Sequence, residues 1–265
     1  GIYIHIPFCR SKCQYCDFYS LAGREERMDD YEKALLAHLR ETAPLARGIP
    51  VDTVYLGGGT PSYFGEKRLK NLLREVKRLY NAERDAEITM EANPDSVDAR
   101  MLTHLRRAGI NRLSLGYQSA CPAELAAVHR IHTMEQGDAA AAAARKAGIK
   151  NLSIDLIYGL PGQTMDSWRQ SVEHVLALGP EHLSCYGLKV EEGTPLARRV
   201  AMGEALPDDD AQADLYLWAM SSMRSPTLQS RGFSPGTTCA TGSPGPISAS
   251  APGPTPTSAG GGTPS

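Results

Sequence analysis

Long apolar runs, a strong excess of one charge and a disulfide-like set of cysteines are all missing from this 265-residue sequence. No stretch approaches the roughly 20 apolar residues that a membrane span needs, so we expect no transmembrane helix. The net charge is −2, from 28 basic and 30 acidic residues, which predicts neither nucleic acid nor an anionic membrane as a partner. Three of the six cysteines are bunched and three are scattered, which indicates a metal or catalytic role in a reducing, cytoplasmic compartment.

Acidic residues are also absent from the last segment of the chain, residues 221–265, which is rich in Ser, Pro, Gly, Thr and Ala. One interpretation is a natural disordered tail. The other, which we favour, is a reading-frame error that truncates a C-terminal domain. Residues 234–242 can be encoded by bases that give Ser-Arg-His-Asn-Leu-Arg-Tyr-Trp in another frame, a peptide typical of folded proteins. We therefore divide the chain into a folded part, residues 1–220, and a tail, residues 221–265.

A cysteine triplet near the start of the chain is the most specific feature. Cys9, Cys13 and Cys16 are spaced C-x3-C-x2-C, directly after the alternating apolar run of residues 2–6. A structural zinc site needs a fourth ligand nearby, and only His5 precedes the triplet. Three thiolates on a four-iron cluster leave one iron with an open position, as a reactive centre requires. Aromatic residues around the triplet would shield such a cluster from water, namely Phe8, Tyr15, Phe18 and Tyr19.

Strand-like and helix-like segments alternate along the rest of the folded part. Six strands are predicted, each followed by a helix, at residues 2–6, 51–56, 87–90, 112–116, 151–157 and 182–186. Strict alternation predicts an α/β fold with a parallel sheet covered by helices, either open or curled towards a barrel. In such folds the chemistry lies at the carboxyl ends of the strands.

Unusual residues do follow the strands at that end. The cysteines follow the first strand, three glycines at 57–59 follow the second, and Glu91 and Gln118 follow the third and fourth. Asp155 lies late in the fifth. Glycines let the backbone approach a ligand closely, and carboxylates accept hydrogen bonds from ammonium or hydroxyl groups. Taken together, these positions predict one site at this edge of the sheet.

The cysteine loop resembles the signature of the radical S-adenosylmethionine (SAM) superfamily. That resemblance implies a partial parallel (β/α)6 TIM-like barrel in which three thiolates hold a [4Fe–4S] cluster. It also implies that S-adenosyl-L-methionine chelates the fourth iron, and that an electron from the cluster, supplied by an electron donor, cleaves the sulfonium bond.

Further segments narrow the resemblance to the oxygen-independent coproporphyrinogen III oxidase family, which includes the HemW heme chaperones. They are Tyr3 six residues before Cys9, and the segments GGGTPS, EANP, GYQS, HRIH and DLIYGLPGQT. True oxidases have another cysteine two residues after the third, whereas Cys16 is followed by Asp17 and Phe18 here. This difference favours the chaperone branch, whose members bind heme and transfer it to apo-hemoproteins. An oxidase that decarboxylates the porphyrin substrate is the alternative, and a radical SAM methyltransferase is a third.

The resemblance also implies cofactor contacts at particular positions. Tyr3 and Glu91 would contact S-adenosylmethionine, with Gly58 beside its methionine end and Tyr15 beside the cluster. The positions that bind a second such molecule in the oxidase are Gly59, Thr60, Gln118, Arg130 and Asp155. The His-Asn-x-x-Tyr motif with which the family binds heme is absent from the chain, and it occurs only in the alternative-frame peptide.

Overall fold

Six parallel strands form the central sheet of the computed structural model, which describes residues 1–223. The strand order is β1-β4-β5-β6-β7-β8, and every neighbouring pair is parallel. The strands are β1 (Ile2–Ile6), β4 (Pro50–Gly58), β5 (Asn81–Ala92), β6 (Arg112–Gln118), β7 (Asn151–Tyr158) and β8 (His182–Gly187). Two short strands, β2 (Phe8–Cys9) and β3 (Leu21–Ala22), pair beside the sheet. This architecture confirms the predicted (β/α)6 class.

Helices follow the strands and cover one face of the sheet. They are α1 (Met28–Thr42), α2 (Glu66–Leu79), α3 (Ala99–Ala108), α4 (Pro122–Ala127), α5 (Met134–Lys146), α6 (Met165–Ala177), α7 (Pro195–Ala201) and α8 (Asp209–Met223). The alternation that predicted them arises because a parallel strand must be reached by a crossover, which a helix provides. None of the helices in residues 1–223 is long and apolar enough to cross a membrane.

The main hydrophobic core lies between the sheet and these helices. In β1 the side chains of Ile4 and Ile6 are buried there, while Tyr3 and His5, on the opposite face, are more exposed. Helix α2 contributes a completely buried stripe through Leu69 and Leu72, at the spacing of one helix face. Each such aliphatic side chain contributes about 1.5–3 kcal/mol of burial free energy, so this interface fixes the helices on the sheet.

The C-terminal helix is part of this packed structure. Trp168 of α6 is fully buried, and its indole Nε1 donates to the carbonyl of Leu215 in α8 at 2.9 Å. Helix α8 starts with an Asp208 cap, since Asp208 Oδ1 accepts from the Ala211 amide at 2.8 Å. The helix continues to Met223, three residues past the predicted domain boundary. The predicted disordered or frame-shifted tail otherwise lies outside the described residues, as does Cys239.

Candidate metal and cofactor site

A cavity of about 280 Å³ lies where the carboxyl ends of the strands meet the loop between β2 and β3. Tyr3 lies beside this cavity without lining it: its ring stacks on Tyr55, whose hydroxyl donates to Glu91, and Tyr3 is 50% exposed. All the other residues predicted from the sequence do line it: Cys9, Cys13, Cys16, Tyr15, Gly58, Gly59, Thr60, Glu91, Gln118, Arg130 and Asp155. The prediction that strand-end residues meet in one place therefore agrees with the structure.

The cysteine loop is closed at its base by the short β2–β3 ladder. Phe8 pairs with Leu21, and Cys9 pairs with Ala22. Inside the loop, the Cys16 amide donates to the carbonyl of Cys13 at 3.2 Å, which turns the chain so that both thiols reach the cavity. The spacing of the triplet thus follows from a loop that leaves the sheet and returns beside it.

Two polar side chains from distant parts of the chain reach the cysteine sulfurs. Thr60 Oγ1 donates to Cys9 Sγ at 3.4 Å, and Arg130 Nη1 donates to Cys13 Sγ at 3.3 Å. Burial raises the pKa of the Cys9 and Cys16 thiols above the usual value. A bound metal favours the thiolate form, so metal binding at these thiols would release protons.

Cys9, Cys13 and Cys16 line the same cavity, so their thiols are the candidate metal ligands. Within residues 1–223, no three His, Cys, Asp or Glu side chains surround a single point at which one metal ion would sit. A zinc ion holds its ligands at about 2.0–2.3 Å and so draws them together, whereas a four-iron cluster receives each thiolate at a separate corner. The triplet supplies three cysteines, the number that leaves one iron of a four-iron cluster open and one fewer than a closed zinc site needs.

Gly59 allows the end of β4 to lie against the cysteine loop. Its amide donates to the Ile6 carbonyl at 2.8 Å, and the next amide, of Thr60, donates to the Phe8 carbonyl at 2.8 Å. A Cβ atom at Gly59 would lie 2.9 Å from the Phe8 carbonyl oxygen and 3.0 Å from Cys9 Sγ. Any larger residue would push the loop away, so glycine is required here by a close approach of two backbones.

Glu91 is the acidic group at the floor of the cavity. Its Oε1 accepts from the Tyr55 hydroxyl at 2.8 Å, and its Oε2 accepts from the Gly58 amide at 3.1 Å. Burial raises the pKa of Glu91 to about 7, and the nearby carboxyl of Asp155 adds to the increase. A cationic ligand beside Glu91 would favour the ionised carboxylate and so lower this raised pKa.

A bulge at the end of β6 positions the other side of the cavity. The register between β6 and β7 shifts between Gly116 and Gln118, and Gln118 has a positive φ of 69°. Arg130 then fills the space beside Gly116, where a Cβ atom would lie 2.7 Å from the guanidinium. Arg130 Nη2 donates to the Gly116 carbonyl at 2.8 Å and to Asn93 Oδ1 at 3.2 Å, which fixes the guanidinium beside Cys13.

Three buried polar atoms at this cavity lack a hydrogen-bond partner among the described residues. They are Gln118 Oε1, Arg130 Nε and Asp155 Oδ1. The other carboxyl oxygen of Asp155 accepts from Ser114 at 2.9 Å, so only one side of the group is satisfied. Unpaired buried polar groups are costly, and a bound ligand with donors and acceptors would pair them. The residues therefore fit a polar cofactor such as S-adenosylmethionine beside the cysteine loop.

Some residues of the site were not predicted from the sequence. Tyr55 orients Glu91, Ser114 orients Asp155, and Asn93 orients Arg130. Tyr55 and Ser114 lie inside strands, between apolar residues that face the helices. The alternation of apolar residues is therefore a signal that could have placed both side chains on the opposite face, where the cavity lies. Asn93 lies in the EANP segment, to which the resemblance assigns no role for the asparagine.

The sequence profile of the radical SAM superfamily matches residues 3–175, which contain every cavity residue discussed so far. The chain belongs to the radical SAM superfamily. It is 42% identical over 220 residues to the heme chaperone HemW of Mycobacterium tuberculosis, a match that covers 82% of this chain and 56% of that protein. It is 38% identical over 246 residues to HemW of Escherichia coli, covering 92% and 63%. The chain thus spans only 56–63% of the length of these curated relatives.

A solved structure supports the same assignment. Coproporphyrinogen III oxidase (HemN) of Escherichia coli is 31% identical, with a TM-score of 0.78 over 84% of this chain and 52% of that chain. Membership of the superfamily implies a [4Fe–4S] cluster and S-adenosylmethionine as cofactors, and the geometry has a place for each. Cys9, Cys13 and Cys16 would hold the cluster, and the cavity beside it would hold the cofactor.

These residues perform distinct tasks around the cofactors. When bound, the cluster supplies one electron to the sulfonium of S-adenosylmethionine. Glu91 would offer a carboxylate to a cationic group of the cofactor, and the Gly58–Thr60 backbone would border the same ligand. Arg130 places a fixed positive charge beside Cys13, which stabilises thiolate at that position.

Proposed function

We propose that this chain provides the radical SAM part of a cytoplasmic heme chaperone of the HemW type. Such a protein binds heme and transfers it to apo-hemoproteins, with a reduced cluster maintained by an electron donor. The names of the curated relatives support this proposal, because each of those cited above is a heme chaperone HemW.

The observation that carries the proposal is Phe18, two residues after the third cysteine, Cys16. The family resemblance places a further cysteine at the position of Phe18 in true oxidases. In the structure Asp17 and Phe18 both line the cavity mouth and are exposed. The mouth of this cavity therefore presents a carboxylate and an aromatic ring, and it lacks the thiol of the oxidase form.

A heme titration paired with a turnover assay tests this proposal. The form that carries the alternative-frame peptide is reconstituted anaerobically with iron and sulfide, and hemin is added while the Soret absorption is followed. We expect a saturable Soret shift at about one heme per chain, followed by transfer when an apo-hemoprotein is added. Absence of a Soret shift would contradict the chaperone proposal.

The competing oxidase function has its own readout. An oxidase with coproporphyrinogen III, S-adenosylmethionine and a reductant would yield protoporphyrinogen under anaerobic conditions. The likeness to HemN makes this the second candidate. We expect no such product, and its formation would replace the chaperone proposal with the oxidase.

The heme-binding motif allows a comparison of heme affinity between two forms of the chain. His-Asn-x-x-Tyr is absent from residues 1–265, and the alternative frame of residues 234–242 contains it. We therefore expect a form carrying the alternative-frame peptide to bind heme more tightly than the chain as given. Sequencing the encoding bases tests the frame interpretation directly, since bases that do not give this peptide in the other frame would exclude it.

A further inference from the structure

Gln14, the residue between two cysteines of the triplet, is held by two distant parts of the chain. Its amide donates to the Val128 carbonyl at 3.2 Å, and its own carbonyl accepts from the Leu196 amide at 3.0 Å. Its side-chain Nε2 donates to His129 Nδ1 at 2.7 Å, and its Oε1 accepts from Arg199. Every polar group of Gln14 is therefore bonded to the segment after α4 or to α7, and none is left to the loop itself.

The orientation of the Gln14 amide is fixed by its partners. A guanidinium only donates, so the side-chain oxygen must face Arg199 and the NH2 group must face the imidazole of His129. Arg199 also donates to the Ala127 carbonyl at 2.6 Å and pairs with Glu204. One guanidinium thus joins the cysteine loop, the end of α4 and the turn after α7.

Apolar contacts support the same attachment. A small hydrophobic cluster, separate from the main core, lies behind the loop and contains Val128, Ile157, Leu160, Leu188 and Leu196. Tyr15, the neighbour of Gln14, packs against this cluster. Leu196 is fully buried, so α7 cannot leave without exposing apolar surface on both sides.

We infer that the contacts of Gln14 with Arg199 and His129, here called the Gln14 clamp, position Cys13 and Cys16 for cluster binding before the cluster is present. Helix α7 would thereby act on a metal site to which it contributes no ligand. Residues that orient metal ligands commonly change metal affinity by about 10–100-fold when they are substituted. The inference goes beyond the proposed function, because it concerns the cysteine loop and needs no heme.

Two substitutions separate this role from simple stabilisation of α7. Gln14→Ala removes the side-chain contacts and keeps both main-chain bonds. Arg199→Lys keeps the positive charge for Glu204, but a single ammonium cannot bond Gln14, Ala127 and Glu204 in the same fork-like geometry. Arg198→Lys is the matched control, because Arg198 is the exposed neighbour on the same helix and donates only to the Gly193 carbonyl at 3.3 Å.

The first measurement is iron release from the reconstituted chain in the presence of an iron chelator. We expect Gln14→Ala and Arg199→Lys to lose the cluster absorption about tenfold faster than the unsubstituted chain, and Arg198→Lys to match it. Combining the two substitutions should add little, since both remove the same contact. Release within twofold of the unsubstituted chain for both variants would overturn the inference.

The second measurement uses the cluster-free chain, so it remains decisive if heme binding or cluster loading fails. Hydrogen exchange of peptides covering residues 9–20 should become faster in Gln14→Ala and Arg199→Lys and stay unchanged in Arg198→Lys. If exchange increases only in residues 195–206, Arg199 merely stabilises α7 and the clamp is refuted. Circular dichroism of each variant shows whether the fold is retained, and Gln14→Ala decides the matter if Arg199→Lys does not fold.

Discussion

Arg130 and Cys13 are 117 residues apart in the sequence, yet the guanidinium Nη1 of Arg130 donates to the sulfur of Cys13 at 3.3 Å. The arginine is held there by the Gly116 carbonyl and by Asn93, so its charge has a fixed place beside one cluster ligand. Hydrogen bonds to the ligand sulfurs and the local net charge set the reduction potential of such clusters.

Replacing this arginine should therefore shift the potential. We expect Arg130→Met to make the midpoint potential of the cluster more negative, because a positive charge and a donor to sulfur are lost. Arg130→Lys should give an intermediate shift, since the charge is kept and the fork-like geometry is not. The measurement is a redox titration followed by electron paramagnetic resonance, with exposed Arg107→Met as control. A more positive potential in Arg130→Met would contradict the role given to this residue.

Substitution should show that cluster binding depends on the three cysteines of the triplet and does not depend on the other cysteines. Cys13→Ala should abolish the cluster absorption after anaerobic reconstitution, because two thiolates do not replace three on a four-iron cluster. Cys121→Ala, which removes a thiol from the start of α4, should leave the spectrum unchanged. An unchanged spectrum in Cys13→Ala would refute the assignment of the metal ligands.

Affinity for S-adenosylmethionine should depend on pH through Glu91. Burial raises the pKa of Glu91 to about 7, so the carboxyl is mostly neutral at pH 6 and mostly ionised at pH 8. Only the ionised form attracts the cationic ligand. We therefore expect the loss of the Glu91 charge to lower the affinity of the protein for S-adenosylmethionine about tenfold between pH 8 and pH 6. Calorimetric titrations of the cluster-loaded protein with S-adenosylmethionine at both pH values measure this affinity.

Glu91→Gln is the control for that pH dependence. The variant should bind more weakly at pH 8, and the difference from the unsubstituted chain should shrink at pH 6. The ligand's own ionisation is common to both proteins and cancels in the comparison. Equal pH dependence in the two proteins would show that another group is responsible.

The packing of α8 on α6 can be tested through Trp168. Trp168→Phe leaves the buried Leu215 carbonyl without its donor and should lower the free energy of unfolding by about 1–3 kcal/mol. Trp168→Ala also creates a cavity and should cost about 3–5 kcal/mol. Trp218→Phe keeps an aromatic ring against the core and under the Arg169 guanidinium, and it should lower the free energy of unfolding less than Trp168→Phe does. Urea unfolding followed by circular dichroism measures all three, and equal values for Trp168→Phe and Trp218→Phe would refute the buried contact.

The site could be predicted from the sequence because parallel strands bring their carboxyl ends to one edge. Glu91, Gln118 and Asp155 could be predicted without knowledge of side-chain contacts, from their position near the carboxyl end of a strand. Tyr3 is implied by the resemblance alone, and its ring lies beside the cavity, stacked on the Tyr55 that bonds Glu91.

Other features could not be predicted, for physical reasons. Strand β5 starts at Asn81, six residues before the predicted start, because residues 81–86 are mostly exposed and show no apolar alternation. The positive φ of Gln118 depends on a bulge whose cause, the space for Arg130 beside Gly116, appears only in three dimensions. The Gln14 contacts join residues 115 and 185 positions apart, and no local pattern encodes such a separation.

The sheet has two free edges, since within the described residues β1 pairs only with β4 and β8 only with β7. An eight-stranded barrel is closed, and side chains fill its interior. A six-stranded arc leaves the width of two strands unfilled, so its interior is reachable sideways as well as from above. A segment that covered this gap would limit which molecules reach the cavity from the side and would exclude water from it, without changing the residues that line it.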